Sequence, residues 1–128
     1  MINITPIGKV HSSLKKLEDC PRQESQNAPE ATIEVFSSYL DAASNIKEGD
    51  TLNLLTWLDR SDRAVQKTHP ENNTHVALTG VFSTRSPDRP NPIGLHVVTV
   101  LKIESKNKFK VSALEVLDET PLIDIKSK

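Results

Sequence analysis

Short runs of alternating apolar and polar residues recur along this 128-residue chain. In residues 31–36, Ile33 and Val35 fall on one side and Thr32 and Glu34 on the other. That period of two is the mark of a strand with one buried face. Residues 51–58 read as a more deeply buried strand, with Leu52, Leu54, Leu55, Trp57 and Leu58. Residues 2–11 carry Ile2, Ile4, Ile7 and Val10, but Pro6 lacks an N–H donor and implies an edge or a bulge. Residues 75–82, 95–103 and 108–117 repeat the strand pattern, and residues 121–125 read as a short strand or an extended tail. Ser105-Lys106-Asn107-Lys108 reads as a hairpin turn between two of these strands. Only residues 38–46 have helical spacing, through Leu40, Ala42, Ala43 and Ile46, closed by Glu48-Gly49-Asp50. About six short strands separated by turns predict a mainly β fold, an antiparallel barrel or sandwich with one short helix and long polar loops.

Composition narrows the function classes. The length suits one domain, residues 1–128, with one core. Aromatic residues make up 4% of the chain, too few for an extended surface of stacked rings that binds nucleic acid. The formal net charge is −1, so any RNA-binding surface must be a local basic patch. Cys20 is the single cysteine, which rules out an intrachain disulfide and agrees with a reducing compartment. No run approaches the roughly 18 apolar residues of a membrane helix. The N-terminus lacks the charged-then-apolar pattern of a signal peptide. A cytoplasmic protein is expected.

Several familiar chemistries are missing from the pattern. His11, His69, His75 and His96 are scattered, and no nucleophile–base pair or zinc-ligand spacing can be read, so no metal is expected. With four glycines and neither a phosphate loop nor a dinucleotide fingerprint, a Rossmann-type enzyme is excluded. What remains is polar loop sequence. Residues 15–29 and 60–73 are long and polar, and loops of this length in a small domain are usually functional or mobile. Residues 80–95 set Arg85, Arg89 and Asn91 among Pro87, Pro90 and Pro92. Arginine suits carboxylates, phosphates and aromatic planes. A proline-stiffened loop loses less entropy in holding it.

The stretch from Gly80 to Leu95, GVFSTRSPDRPNPIGL, resembles the signature of the TsaA-like, or TrmO, family. Pro21-Arg22-Gln23 resembles the family's N-terminal Pro-Arg-Gln. The segment LDETPLIDIK from Leu117 resembles its C-terminal Leu-Asp-x-Thr-Pro motif. The resemblance spans nearly the whole chain and implies an S-adenosylmethionine-binding β-barrel, usually a homodimer with the cofactor near the subunit interface. It implies cofactor contacts at Pro21, Arg22, Gln23, Arg85, Leu95, Asp118, Glu119, Thr120 and Pro121, and more loosely at Asp59 and Arg60 in the Trp57–Arg60 stretch. Characterised members methylate N6 of threonylcarbamoyl-modified adenosine beside the tRNA anticodon. Methyl transfer from a sulfonium needs alignment more than covalent catalysis, which accounts for the missing triad. A base would still help a weakly nucleophilic amide nitrogen, and Asp88, Asp59 and His69 are the candidates. Arg89 and Asn91 are candidates for holding substrate. Lys15, Lys16, Arg60, Arg63, Lys67 and Arg89 are the residues from which a tRNA footprint would be built. One departure from the family weakens the substrate assignment more than the cofactor assignment. Characterised tRNA-modifying members often carry a further C-terminal domain, and this chain stops just past Asp124-Ile125-Lys126. The alternatives are the same fold methylating a small molecule or another RNA, and a non-enzymatic S-adenosylmethionine-binding regulatory module.

Overall fold

The computed structural model describes residues 1–16, 29–70 and 73–128. Its strands are β1 (Gly8–His11), β2 (Ala31–Val35), β3 (Thr51–Trp57), β4 (Lys67–Thr68), β5 (Thr79–Gly80), β6 (Ile93–Ser105), β7 (Lys108–Val111) and β8 (Pro121–Ser127). Six of them close into a barrel in the order β1-β2-β7-β6-β3-β8, and β8 pairs back onto β1. Every pairing in the barrel is antiparallel. β4 and β5 form a separate two-stranded ribbon. The mainly β barrel expected from the alternation is therefore what the chain forms.

The alternation works because one side of each strand fills the barrel. Val10, Ile33, Leu54, Val98, Phe109, Val111 and Leu122 are all buried there. One polar pair shares the interior, the Thr56 hydroxyl and His96 Nε2, 3.0 Å apart. Their hydrogen bond removes most of the cost of burying two polar groups. Gly94 makes room for them, since a Cβ there would lie 2.5 Å from Thr56 Oγ1 and 2.6 Å from His96 Nε2. Past β7, Leu114, Val116 and Leu117 are buried outside any strand and cover the core at that end.

Antiparallel closure decides where the connections emerge. β1, β3 and β7 finish at the same end of the barrel at which β2, β6 and β8 begin. Residues 12–30, 58–92 and 112–120 all leave and return at that end. At the opposite end the connections are residues 36–50 and the tight turn at 106–107.

Four expectations need correction, the first being residues 108–117, whose strand β7 stops at Val111 and leaves 112–117 outside the ladder. Residues 38–46 do not form an α-helix. They lie in and beyond a 3-10 segment, Ser37–Ala43, broken at Tyr39 (φ −118°, ψ 18°) and lacking a side-chain cap. Only Ala43 is buried there, so little packing rewards a regular helix. Residues 75–82 are not a continuous strand. Asn73 Oδ1 takes the His75 N–H into a local turn, Val76 and Leu78 stay exposed, and Val81–Ser83 turns into a 3-10 segment. Strand β1 begins only at Gly8, leaving Ile2 and Ile4 exposed. No helix among the described residues is long and apolar enough to cross a membrane.

Gly94→Ala should lower the unfolding free energy by about 1–3 kcal/mol in chemical denaturation, because the added methyl overpacks the Thr56–His96 pair. Gly80→Ala, with nothing within 4 Å of the added carbon, should stay within about 0.5 kcal/mol of the parent. Equal losses in the two variants would contradict the packing described.

Candidate functional site

The three polar clusters among the described residues fall on the connections at one barrel end or where those connections join the strands. Pro21, Arg22 and Gln23 lie outside the described residues, within the 12–30 connection. Asp59 and Arg60 open the 58–92 connection, Arg85, Arg89 and Asn91 close it, and Leu95 follows on β6. Asp118, Glu119 and Thr120 end the 112–120 connection, and Pro121 starts β8.

Arg60 ties two of these connections together, donating to the Lys15 carbonyl at 3.1 Å and to the Asp118 carbonyl at 3.5 Å. Asp118 itself accepts from the Ser12 N–H at 2.8 Å and from Lys15 Nζ at 2.8 Å. The Lys15 ammonium first, then the Ser12 N–H, hold its carboxyl below the ordinary value of 3.8. Beside it, His11 Nε2 and Glu34 Oε1 lie 2.7 Å apart, and that contact lowers the Glu34 pKa. Lys9 pairs with Glu119 at 3.0 Å, and the hydrogen bond raises the lysine pKa. His11, Asp118 and Glu119 bring one donor atom each within 4.8 Å of one another. The ammonium groups of Lys15 and Lys9 already balance the two carboxylates, so the arrangement is a network of ion pairs. Among the described residues, Glu119 is also the one non-glycine residue with positive φ, at 69°. Its N–H donates to the Val10 carbonyl at 2.8 Å, which holds this left-handed backbone in place. Strained residues of this kind cluster at binding sites.

The proline-rich segment is organised by arginine. Val81–Ser83 forms the 3-10 turn, with Val81 buried. The Arg89 guanidinium donates to the carbonyls of Ser86 (2.8 Å), Thr84 (2.6 Å) and Val81. Arg63 donates to the Pro90 carbonyl at 2.7 Å and to Asn91 Oδ1 at 3.0 Å, while its guanidinium carbon lies 5.1 Å from the Trp57 ring centre. Asp88 Oδ1 accepts the Asp62 N–H at 2.8 Å. Arg89 and Asn91, expected to face substrate, are thus engaged within the loop. Arg85 is exposed and bonds to no described residue.

The candidate bases are not gathered at one point. Asp59 is exposed near the start of its connection, Asp88 caps a turn with one oxygen, and His69 sits beside the β4–β5 ribbon with Nδ1 2.9 Å from the Val76 carbonyl. Sequence reasoning missed three features. They are the His11–Glu34 pair, the left-handed Glu119, and Arg63 as the strut between Trp57 and Pro90. Each depends on partners far apart in sequence or on backbone geometry.

Asp118 is depressed on folding, so the unfolded chain binds more protons near the carboxylate range and stability falls as pH drops. Its contribution is present above the ordinary carboxylate pKa and is lost as pH falls through the lower folded value. Asp118→Asn should therefore have a lower Tm than the parent at pH 7, with the gap shrinking toward pH 3. A constant gap across that range would contradict the ion-pair assignment.

The sequence of residues 9–127 matches the family model described as the tRNA-methyltransferase O N-terminal domain. An S-adenosyl-L-methionine-binding protein of Archaeoglobus fulgidus is 41% identical over 123 residues, covering 96% of this chain and 86% of that protein. A probable S-adenosyl-L-methionine-binding protein of Methanocaldococcus jannaschii is 38% identical over 105 residues, 79% of this chain and 82% of that one. The crystal structure of TrmO from Pseudomonas aeruginosa superposes with a TM-score of 0.78 at 26% identity over 100% of this chain. The match covers 56% of that TrmO chain, so this chain spans little more than half of its length. The signature loop, the strand order and these matches agree: the chain belongs to the family of the tRNA-methyltransferase O N-terminal domain.

Proposed function

We propose that this chain binds S-adenosylmethionine at the barrel end formed by residues 12–30, 58–92 and 112–120 and methylates N6 of threonylcarbamoyl-modified adenosine beside the tRNA anticodon. The observation that carries the reading is the convergence of every signature segment among the described residues on that one end. The names of the archaeal relatives support the cofactor, and the family model supports the acceptor.

The donor set suits the cofactor's chemistry. The unbonded guanidinium of Arg85 matches a carboxylate. The 118–120 turn offers a carboxylate and backbone groups to an ammonium or a ribose hydroxyl, and Leu95, half exposed on β6, offers an apolar surface to adenine. When bound, S-adenosylmethionine supplies a methyl group already activated by its sulfonium. Methyl transfer would exchange that S–C bond for an N–C bond at the acceptor nitrogen, which would lose its proton. The protein's part is to align that nitrogen and take the proton. Asp59, Asp88 and His69 remain the candidates for the base, and Asp88 has one oxygen not used by the Asp62 N–H.

A polyanionic acceptor agrees with the arginines. Among the described residues no ion pair involves an arginine. Arg60, Arg63 and Arg89 donate to neutral carbonyl or amide oxygens rather than to carboxylates. A homodimer agrees with β6, whose outer face presents Ile93, Leu95, Val97, Leu101 and Ile103, each 39–49% exposed. A stripe of this kind on one strand is self-complementary across a two-fold axis. The cytoplasm is the compartment this reading implies. A second reading, cofactor binding without transfer, is favoured by the relatives' names.

Calorimetry should detect S-adenosylmethionine binding. Arg85→Ala should weaken it at least tenfold, about 1.4 kcal/mol. Unchanged affinity in a folded variant would refute the role of Arg85. Labelled methyl should pass to bulk tRNA that carries the threonylcarbamoyl group and not to tRNA lacking it. Binding without transfer to either would favour the second reading. Light scattering should give a dimer mass, and a monomer would remove the role assigned to β6.

A further inference from the structure

Phe82 stands in the middle of the signature loop with 85% of its surface exposed. A phenylalanine left in water forgoes about 1.5–3 kcal/mol of burial. The exposure does not come from a loose segment. Val81 next to it is 2% exposed, and its N–H donates to the Gln66 carbonyl at 2.9 Å. The Val81 carbonyl accepts from the Thr84 N–H at 3.1 Å, from the Thr84 hydroxyl at 2.9 Å and from the Arg89 guanidinium. The turn is pinned from behind, and the ring is held forward.

The ring borders a cavity of about 410 Å³ lined by Gln66, Gly80, Val81, Phe82, Ser83 and Pro90. Gly80 leaves its floor open, since a Cβ there would touch nothing within 4 Å. The lining has two apolar rings, an amide and a hydroxyl, and no carboxylate. The Gln66 amide makes no hydrogen bond to a described residue, so its donor and acceptor are available. Two guanidinium groups sit beside the lining, with Arg89 on the Val81 carbonyl and Arg63 on the Pro90 carbonyl. A flat face, groups for a hydrogen-bonding edge and cations nearby are what a nucleobase in a phosphodiester chain requires.

We propose that Phe82 is the stacking platform for one purine base of the RNA substrate, with Gln66 and Ser83 addressing that base's edge. The proposal deepens the assignment of RNA as acceptor and rests on it. One ring for one base is compatible with the chain's few aromatics. Base–aromatic stacking is strong enough for a single ring to be measurable.

The test uses Phe82→Trp and Phe82→Ala in the full chain, with a short adenosine oligoribonucleotide and its abasic counterpart as probes. The parent, whose one tryptophan is Trp57, supplies the blank. The emission of Phe82→Trp should be quenched saturably by the adenosine strand and at least fivefold more weakly by the abasic strand, which keeps the phosphates. Phe82→Ala should bind the adenosine strand about tenfold more weakly, with abasic-strand and S-adenosylmethionine affinities unchanged. If the parent transfers methyl to no tRNA yet these differences hold, the acceptor reading fails and the platform stands. If the parent methylates tRNA and Phe82→Ala binds and reacts as the parent does, the platform is overturned. Equal binding of the two strands, or a change of oligomeric mass in Phe82→Ala that marks a ring covered by a second copy, would also overturn it.

Discussion

Closure of an even number of antiparallel strands is the constraint on which the rest of this structure depends. In such a barrel each strand runs opposite to both neighbours, so the connections divide between two ends. Here β1, β3 and β7 point one way, and β2, β6 and β8 return. The division is lopsided, with a tight turn and a 3-10 segment at one end and three long connections at the other. Segments separated by most of the chain become neighbours without any dedicated contact. Arg60 and Asp118, 58 residues apart, meet through a guanidinium–carbonyl bond because β3 and β8 pair in register beneath them. The barrel supplies rigidity, and the loops supply chemistry.

The signature loop solves a second problem, that of backbone satisfaction. Pro87, Pro90 and Pro92 have no N–H to donate, and the turns between strands leave carbonyls without ladder partners. Arginine side chains provide the missing donors. Arg89 reaches three carbonyls in the 81–86 stretch, and Arg63 reaches the Pro90 carbonyl and the Asn91 amide oxygen. The prolines fix the backbone path, and the guanidinium groups fasten it. Irregular structure of this kind is costly to order residue by residue. Five planar donors on one side chain make Arg89 suited to fastening it from one position. The arrangement leaves the positive charge in place, because a neutral carbonyl does not cancel it.

Period-two alternation located β2 and β3 to within one residue, because both strands have one face in the barrel and one outside. It failed at residues 75–82, where Val76 and Leu78 alternate but stay exposed, and a local Asn73 turn decides the backbone. The helical spacing at 38–46 misled for the same reason, since apolar spacing without burial does not hold a helix. At the site, the signature segments could be read from residue type, but their convergence could not, since it follows from strand order. Nor could the sequence separate Arg85 from Arg89. Both lie in the same proline-rich run, and only their partners distinguish an arginine that builds the loop from one that bonds to nothing in it.

That distinction bears on how a chain with a formal net charge of −1 can attract an anion. Lys9, Lys15, Lys47, Lys110 and Lys126 are each paired with a carboxylate. Arginines among the described residues are not. Charges neutralised in pairs produce weak fields beyond a few ångströms. Unpaired guanidinium groups on one end produce a field extending about 8–10 Å at physiological ionic strength. Arg60, Arg63, Arg85 and Arg89 all belong to the 58–92 connection, so this charge is displayed at a single end of the barrel. The sign of the whole molecule is therefore a poor guide to its partner. What a ligand meets at this end is set by how its arginines are bonded, to carbonyls rather than to carboxylates.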